Sequence, residues 1–126
     1  MRLLVVDDSS MIRSRIARIA GSGRLADVAI VGLARNGAEA LRLALAQRPD
    51  VVTIDLTMPE MDGLECIPRL LGAIPGLHIL VVSALSDKST AIQALRLGAH
   101  GFLNKPFSDD ELLLALLDVT EARTCT

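Results

Sequence analysis

The sequence predicts an α/β fold, an open parallel sheet of five strands with helices on both faces. Short apolar runs rich in β-branched residues alternate five times with segments of helical periodicity. These runs are apolar along their whole length, which is typical of parallel strands buried on both faces. The predicted strands are residues 3–6, 28–33, 51–54, 79–82 and 101–103. Because five strand–helix units are too few for an eight-stranded barrel, we expect a doubly wound sheet.

The first two helices begin at polar residues that can cap them. Ser9 and Ser10 follow the first strand and precede three isoleucines at helical spacing. Asn36, with Glu39 three residues later, forms a predicted capping box for a helix that extends to Ala46. Both helices are therefore expected to begin within a few residues of the preceding strand.

The last three helices are predicted from similar signals. The third follows the Asp-Gly pair at 62–63 and contains Pro68, which must lie in the first turn or kink the helix. Asp87 is the expected cap of the fourth helix, which Gly98 ends. Ser108 is the expected cap of the last helix, and the three acidic residues after it suit the positive end of the helix dipole.

Length and composition indicate one domain spanning residues 1–126 and exclude several classes of function. The formal charge is −2 with no block of like charge, so a basic surface for nucleic acid or a membrane is not expected. No apolar stretch is long enough to cross a membrane, and no signal peptide is visible. Cys66 and Cys125 have no metal-binding spacing, so we expect reduced thiols in a cytoplasmic protein.

Polar residues stand where the predicted strands end. Asp7 and Asp8 end the first strand, Asp55 ends the third, Ser83 ends the fourth, and Lys105 follows the fifth. Ligand sites of open parallel sheets form at the carboxyl ends of the strands. If strands 1 and 3 are neighbours, the three acids meet at one edge of the sheet.

Three adjacent carboxylates repel one another, and a hard divalent cation removes that repulsion. Carboxylates, a carbonyl oxygen and water are the ligands that Mg²⁺ prefers. A hydroxyl such as Ser83 and a cation such as Lys105 could bind the oxygens of a phosphoryl group beside the metal. Asp55 would then be the nucleophile that forms an acyl phosphate. Alone, each residue is better explained as a turn, a cap or a solvated surface position. The functional interpretation depends on all of them standing at the ends of successive predicted strands.

Four segments together resemble the receiver domain of bacterial two-component response regulators, in particular the chemotaxis-type single-domain receivers. They are VVDDS at 5–9, DLTMPEMDG at 55–63, VVSAL at 81–85 and GFLNKPF at 101–107. The resemblance covers essentially the whole chain. It implies a flavodoxin-like (βα)5 fold with the strand order 2-1-3-4-5.

The resemblance also implies a role for each acid. Asp55 would be the phosphoacceptor that receives a phosphoryl group from a histidine kinase or phosphotransfer protein. Asp8 would bind Mg²⁺ directly, Asp7 largely through water, and Asp55 and the backbone carbonyl of Thr57 would complete the metal site. Such a module catalyses only its own phosphorylation and dephosphorylation and is not an enzyme for other substrates.

Lys105 and a switch pair complete the implied site. Lys105 would contact the phosphate and precede a cis peptide bond to Pro106. Ser83 and Phe102 would be the hydroxyl and aromatic residues that change position on phosphorylation. Threonine is also common at the first position and tyrosine at the second, so this chain lacks a phenol that could signal by a hydrogen bond.

Alternative functions differ in what they require of the sequence. A receiver excised from a multidomain regulator or hybrid kinase would share this domain but act through a DNA-binding or enzymatic output. A small Mg²⁺-dependent phosphatase would need an acid two residues after the nucleophile, where this chain has Thr57. A flavin-binding electron carrier would need a hydroxyl-rich phosphate loop after the first strand and aromatic residues over the flavin ring. Neither pattern is present in this sequence, which has two Phe and no Tyr or Trp.

The last helix suggests how the module would bind a partner. Helical spacing places Leu112, Leu116 and Val119 on the stripe that faces the core. Leu114 falls on the outer face, with Leu117 at the flank. We expect these two leucines to form a docking patch with the preceding helix and the last strand, for a downstream target or a weak homodimer; isolated exposed apolar residues are, however, also common.

Overall fold

The chain folds into the predicted doubly wound sheet. The computed structural model describes residues 1–25, 27–56, 63–84 and 88–121. Five parallel strands lie in the order β2-β1-β3-β4-β5, which confirms the fold class and the strand order that the resemblance implies.

The strands agree with the predicted runs to within one residue at each end. They are β1 Arg2–Val6, β2 Ala29–Ala34, β3 Val51–Ile54, β4 His78–Ser83 and β5 Gly101–Asn104. The helices are α1 Ser10–Ala20, α2 Gly37–Gln47, α3 Gly63–Ala73, α4 Lys88–Arg96 and α5 Asp109–Glu121. No helix in the described part of the chain is long and apolar enough to cross a membrane.

Two aliphatic cores cover the two faces of the sheet. Along β1, Leu4 and Val6 pack into the core formed with α2, α3 and α4, whereas Leu3 and Val5 pack into the core formed with α1 and α5. All four side chains are almost completely buried. This two-sided burial explains why the strand is apolar at consecutive positions instead of alternating.

Side-chain caps hold the beginnings of three helices. The side chains of Ser9 and Asn36 each accept a hydrogen bond from the backbone N–H three residues later. Ser108 and Glu111 form a reciprocal capping box, in which each side chain accepts the other residue's N–H at 3.1 and 2.9 Å. These contacts confirm the predicted starts of α1, α2 and α5.

The third and fourth helices show how the chain accommodates a proline and a sharp stop. Pro68 lies in the second turn of α3 and not in the first, and it is exposed, so its missing N–H lies on the solvent side of the helix. Gly98 ends the turn after α4 with φ +116°, a conformation that favours glycine. Asp87, the expected cap of α4, lies outside the described residues.

Two imidazole rings lie together at the amino end of β4, opposite the acidic edge of the sheet. The rings of His78 and His100 are 4.6 Å apart, and the N–H of Ile79 donates to Nδ1 of His100 at 3.0 Å. Although His100 is exposed, partial desolvation of its ring holds the pKa of His100 below its usual value. Protonation at Nδ1 would also displace this hydrogen bond and place a cation beside the second imidazole.

We expect this pair to make the fold less stable in mild acid. Because the unfolded chain binds the His100 proton more readily, the stabilisation is present above the unfolded-state pKa of about 6.5 and is lost as the pH falls through it. Thermal midpoints measured between about pH 7.5 and 5.5 should fall more steeply for the wild type than for His100→Gln. Parallel pH profiles for the two proteins would contradict this role of His100.

Candidate functional site

Three carboxylates meet at the carboxyl edge of the central strands. β1 and β3 are neighbours in which Val6 is paired with Ile54, so the next residues along the chain, Asp7 and Asp55, lie side by side. The N–H of Asp55 donates to the Val6 carbonyl at 3.0 Å and holds the two strand ends together. Oxygen atoms of Asp7, Asp8 and Asp55 lie within 4.8 Å of one another. The predicted convergence of these acids is confirmed.

Lys105 lies between the two buried acids. Asp7 and Asp55 are only 1% and 5% exposed, whereas Asp8 is exposed to solvent. The ammonium Nζ of Lys105 is 2.7 Å from Oδ2 of Asp7 and 3.4 Å from Oδ2 of Asp55. Buried carboxylates are costly unless a charge or hydrogen bond compensates them, and this ammonium does so for both. The other oxygen of Asp7 accepts the N–H of Ser9 at 2.9 Å.

The segment after β5 carries Lys105 into the site. The N–H of Lys105 donates to the carbonyl of Ser83 at 2.9 Å, which keeps the end of β5 paired with the end of β4. The peptide bond between Lys105 and Pro106 is cis, as the resemblance implies. Phe107, the next residue, is buried in the core under α1 and α5.

Ser83 and Phe102 lie on the same face of neighbouring strands. The register pairs Val81 with Phe102 and Ser83 with Asn104, so alternation along each strand places the hydroxyl and the aromatic ring on the side of α2, α3 and α4. Ser83 is buried at 1% exposure, and Phe102 is half-buried against the core. This arrangement is compatible with a switch pair.

Thr57, whose carbonyl was expected to bind the metal, lies outside the described residues, as does the rest of 57–62. The described chain resumes at Gly63, whose N–H donates to the carbonyl of Leu56 at 3.0 Å. A Cβ on Gly63 would lie 2.5 Å from the backbone oxygen of Asp55. The first residue of α3 is therefore packed directly against the backbone at the end of β3.

Two arginines of α1 support the site, and no sequence pattern predicted either of them. Arg13 donates from Nη1 to the backbone carbonyl of Asp7 at 2.6 Å. Arg15 contacts Phe107, in the segment that carries Lys105. Both arginines lie in the first two turns of a helix, where an arginine is usually interpreted as a solvated surface residue.

Comparison with known proteins agrees with this geometry. The family model of the response regulator receiver domain matches residues 3–117. The chemotaxis protein CheY of Listeria monocytogenes is 37% identical over 116 residues, which cover 92% of this chain and 95% of that protein. The chain belongs to the response regulator receiver family.

Solved receiver structures share the whole architecture. The receiver domain of the putative response regulator NarL from Mycobacterium tuberculosis matches with a TM-score of 0.88, at 34% identity and 97% coverage of both chains. A chain of the CheX–CheY–BeF3–Mg²⁺ complex from Borrelia burgdorferi matches with a TM-score of 0.88 at 28% identity, covering 95% of this chain and 89% of that one.

Family membership confirms the leading interpretation of the sequence. This receiver is a phosphoacceptor signalling module of the two-component type, with an acidic cluster suited to a divalent cation. The same finding argues against the phosphatase and the flavin carrier, which the sequence already disfavoured.

Proposed function

We propose that Asp55 accepts a phosphoryl group while Asp7, Asp8 and Asp55 hold Mg²⁺. The observation that carries this proposal is the convergence of the three carboxylates, with their oxygens within 4.8 Å of one another, around the ammonium of Lys105. An all-oxygen donor set with one exposed member suits a hard cation that keeps water ligands. The backbone carbonyl of Thr57 is the further ligand that we propose.

The position of Asp55 supports it as the nucleophile. Like Asp7, it is buried and lies beside the Lys105 ammonium, whereas Asp8 is exposed. Asp55 ends the central strand β3, and one of its oxygens lies 3.4 Å from the same ammonium. An oxyanion of a phosphoryl group attached there would therefore lie near Lys105, whose charge stabilises it.

The transfer we propose is a single displacement at phosphorus. A carboxylate oxygen of Asp55 attacks the phosphorus of a phosphohistidine, the new O–P bond forms and the P–N bond breaks. The imidazole leaves with the electron pair of that bond and takes a proton from solvent. When bound, Mg²⁺ supplies positive charge to the phosphoryl oxygens. Lys105 supplies a second positive charge from the protein.

We further propose that phosphorylation changes the positions of Ser83 and Phe102 and so alters the surface that a partner binds. A hydrogen bond from the buried Ser83 hydroxyl to the phosphoryl group would draw the end of β4 toward Asp55. Phe102 shares that face of the sheet, so a shift at β4 changes the space available to its ring. The donor would be a histidine kinase or phosphotransfer protein of the cytoplasm, and the buried thiol of Cys66 fits a reducing compartment.

Intact-mass measurement with acetyl phosphate tests the proposed function. The wild-type protein should gain the mass of one phosphoryl group in the presence of Mg²⁺ and none when a chelator removes the metal. Mg²⁺ alone should raise the thermal midpoint in a concentration-dependent way, because it binds only the folded site. A phosphoryl gain that is equally fast with the chelator would contradict the proposed role of the acidic cluster.

The register of α5 supports a docking patch on its outer face. Leu112, Leu116 and Val119 are at most 2% exposed, whereas Leu114 is 60% exposed and Leu117 is 36% exposed. This confirms the helical stripe predicted from the sequence. An exposed leucine in the middle of a helix adds nothing to the core and is free to contact another molecule.

The neighbours of this patch differ from those expected. Leu114 and Leu117 line an open groove of about 280 Å³, whose other described lining residues are Arg24, Leu25, Asp110 and Leu113. The groove thus lies between α5 and the segment after α1, and no described residue of α4 lines it. The apolar residues that predicted α4, Ile92, Leu95 and Leu97, are themselves exposed, and none of them lines this groove. We propose that a downstream protein binds across the groove, with Leu114 as one contact.

Leu114→Asp should weaken binding of the phosphorylated protein to its target without changing its fold. Because the side chain is already in solvent, the free energy of unfolding should change by about 0.5 kcal/mol or less. Leu45→Asp is a matched control, since Leu45 is 55% exposed on α2. Target binding and self-association measured by sedimentation should fall for the first variant only. Equal behaviour of the two variants would contradict a contact at Leu114.

A further inference from the structure

Arg15 makes three contacts with the segment that carries Lys105. Its guanidinium carbon lies 4.7 Å from the centre of the Phe107 ring, and Nη2 donates to the Phe107 carbonyl at 2.5 Å. The same group lies 3.7 Å from the carboxylate of Asp109, in the first turn of α5. We propose that Arg15 is a positioning residue that sets the place of the Lys105 ammonium between the acids, an inference that rests on the proposed phosphotransfer function.

These contacts fix the backbone on the far side of Lys105. On the near side, the N–H of Lys105 is bonded to the Ser83 carbonyl at 2.9 Å. On the far side, two residues along, Arg15 holds both the ring and the carbonyl of Phe107, which is 3% exposed. The backbone of Lys105 is thus held between β4 on one side and α1 on the other.

The position of the Lys105 backbone matters because the ammonium must reach two acids at once. A lysine side chain has a flexible four-carbon stem, so fixed distances of 2.7 and 3.4 Å to Asp7 and Asp55 depend on where its backbone lies. Displacements of about 1 Å in a charged group can cost on the order of 100-fold in rate. A contact that holds the backbone can therefore act on the reaction without touching the phosphoryl group.

Stabilisation of α5 does not account for these contacts. Arg15 lies beside the amino terminus of α5, where the helix dipole is positive and disfavours a cation. That terminus is already capped by Ser108 and Glu111. The ion pair with Asp109 is partly exposed, and such pairs contribute about 0–1 kcal/mol. What Arg15 adds is the restraint on Phe107.

Arg15→Gln should slow phosphorylation by acetyl phosphate about 10-fold at saturating Mg²⁺, with a thermal midpoint close to wild type. Acetyl phosphate is a small donor, so the result does not depend on docking of a kinase. Arg18→Gln is the matched control: Arg18 is an exposed arginine on the same helix, and its side chain has no hydrogen bond or ion pair with the described residues. This control should label at the wild-type rate. Arg15→Lys, which keeps a cation over the ring, should recover part of the rate.

Two measurements distinguish positioning of Lys105 from a general structural effect. In a Lys105→Ala background, Arg15→Gln should change the labelling rate less than twofold, because the group it positions is absent. The ¹³Cε NMR signal of Lys105 should shift in Arg15→Gln and stay in place in Arg18→Gln. Equal slowing in both backgrounds, an unshifted signal or an unchanged rate in Arg15→Gln would overturn the inference while leaving phosphotransfer intact. A wild-type protein that takes no phosphoryl group would overturn both.

Discussion

The Asp55→Asn variant is expected to take up no phosphoryl group from acetyl phosphate under conditions that label the wild type fully. The amide removes the nucleophilic oxygen but preserves the shape of the side chain. Phosphorylation should therefore be lost completely, whereas the stability of the fold should change little. The variant also removes one of the carboxylates that we assign to the metal. Its affinity for Mg²⁺ should therefore fall as well, which titration calorimetry can measure.

A second aspartate, at the other end of the same strand, provides the control. Asp50 precedes β3 as Asp55 follows it, and its carboxylate accepts the N–H of Arg2 at 2.8 Å at the opposite end of the sheet. Asp50→Asn keeps an oxygen that can accept this bond, and it should label and bind Mg²⁺ as the wild type does. Wild-type labelling of Asp55→Asn, or loss of labelling in Asp50→Asn, would show that the carboxylate of Asp55 is not the acceptor.

Gly63→Ala is expected to lower the free energy of unfolding strongly, although it adds only one methyl group. The added Cβ would lie 2.5 Å from the backbone oxygen of Asp55 and 2.7 Å from the Cα of Leu56. Because these are backbone atoms, no side-chain rotation can relieve the overlap, and the start of α3 must move away from β3. We expect a destabilisation of roughly 3 kcal/mol or more, at the upper end of overpacking effects.

Urea denaturation measures this effect against a matched substitution in the same helix. A Cβ on Gly72 would meet nothing within 4 Å, and alanine is preferred over glycine within helices by about 0.5–1 kcal/mol. Gly72→Ala should therefore raise the urea midpoint while Gly63→Ala lowers it. The residual folded Gly63→Ala protein should also label slowly, because Asp55 moves with its backbone. Equal midpoints for the two variants would show that α3 does not pack as closely on β3 as described.

The strands could be predicted from the sequence because their burial on both faces makes them apolar at every position. The order of the strands could not be predicted in this way, because it depends on which helix covers which face of the sheet. The apolar runs do not indicate that. The strand order followed from the resemblance of VVDDS, DLTMPEMDG and GFLNKPF to receivers. Helix α4 shows a further limit: Ile92, Leu95 and Leu97 indicated a helix correctly, yet all three are exposed and Ala94 is the residue that is fully buried.

The acids of the site were predictable because they stand, with Ser83 and Lys105, at the carboxyl ends of successive apolar strands, whereas any one of them alone would be explained as a turn or cap residue. The support around them was not. Arg13 and Arg15 contact backbone carbonyls, and any residue offers a carbonyl, so the sequence holds no sign of the pairing. The groove beside Leu114 and Leu117 likewise depends on where the segment after α1 lies, which helical periodicity in α5 does not determine.

We propose above all that the phosphoryl group is attached to Asp55 and that Mg²⁺ is required for the attachment. Reduction of the acyl phosphate with borohydride, followed by peptide mass spectrometry, marks the carboxylate that carried it. We expect a mark at position 55 in protein treated with acetyl phosphate and Mg²⁺, and no mark when a chelator is present. A mark at Asp7 or Asp8, or one at position 55 that forms equally well with the chelator, would contradict it.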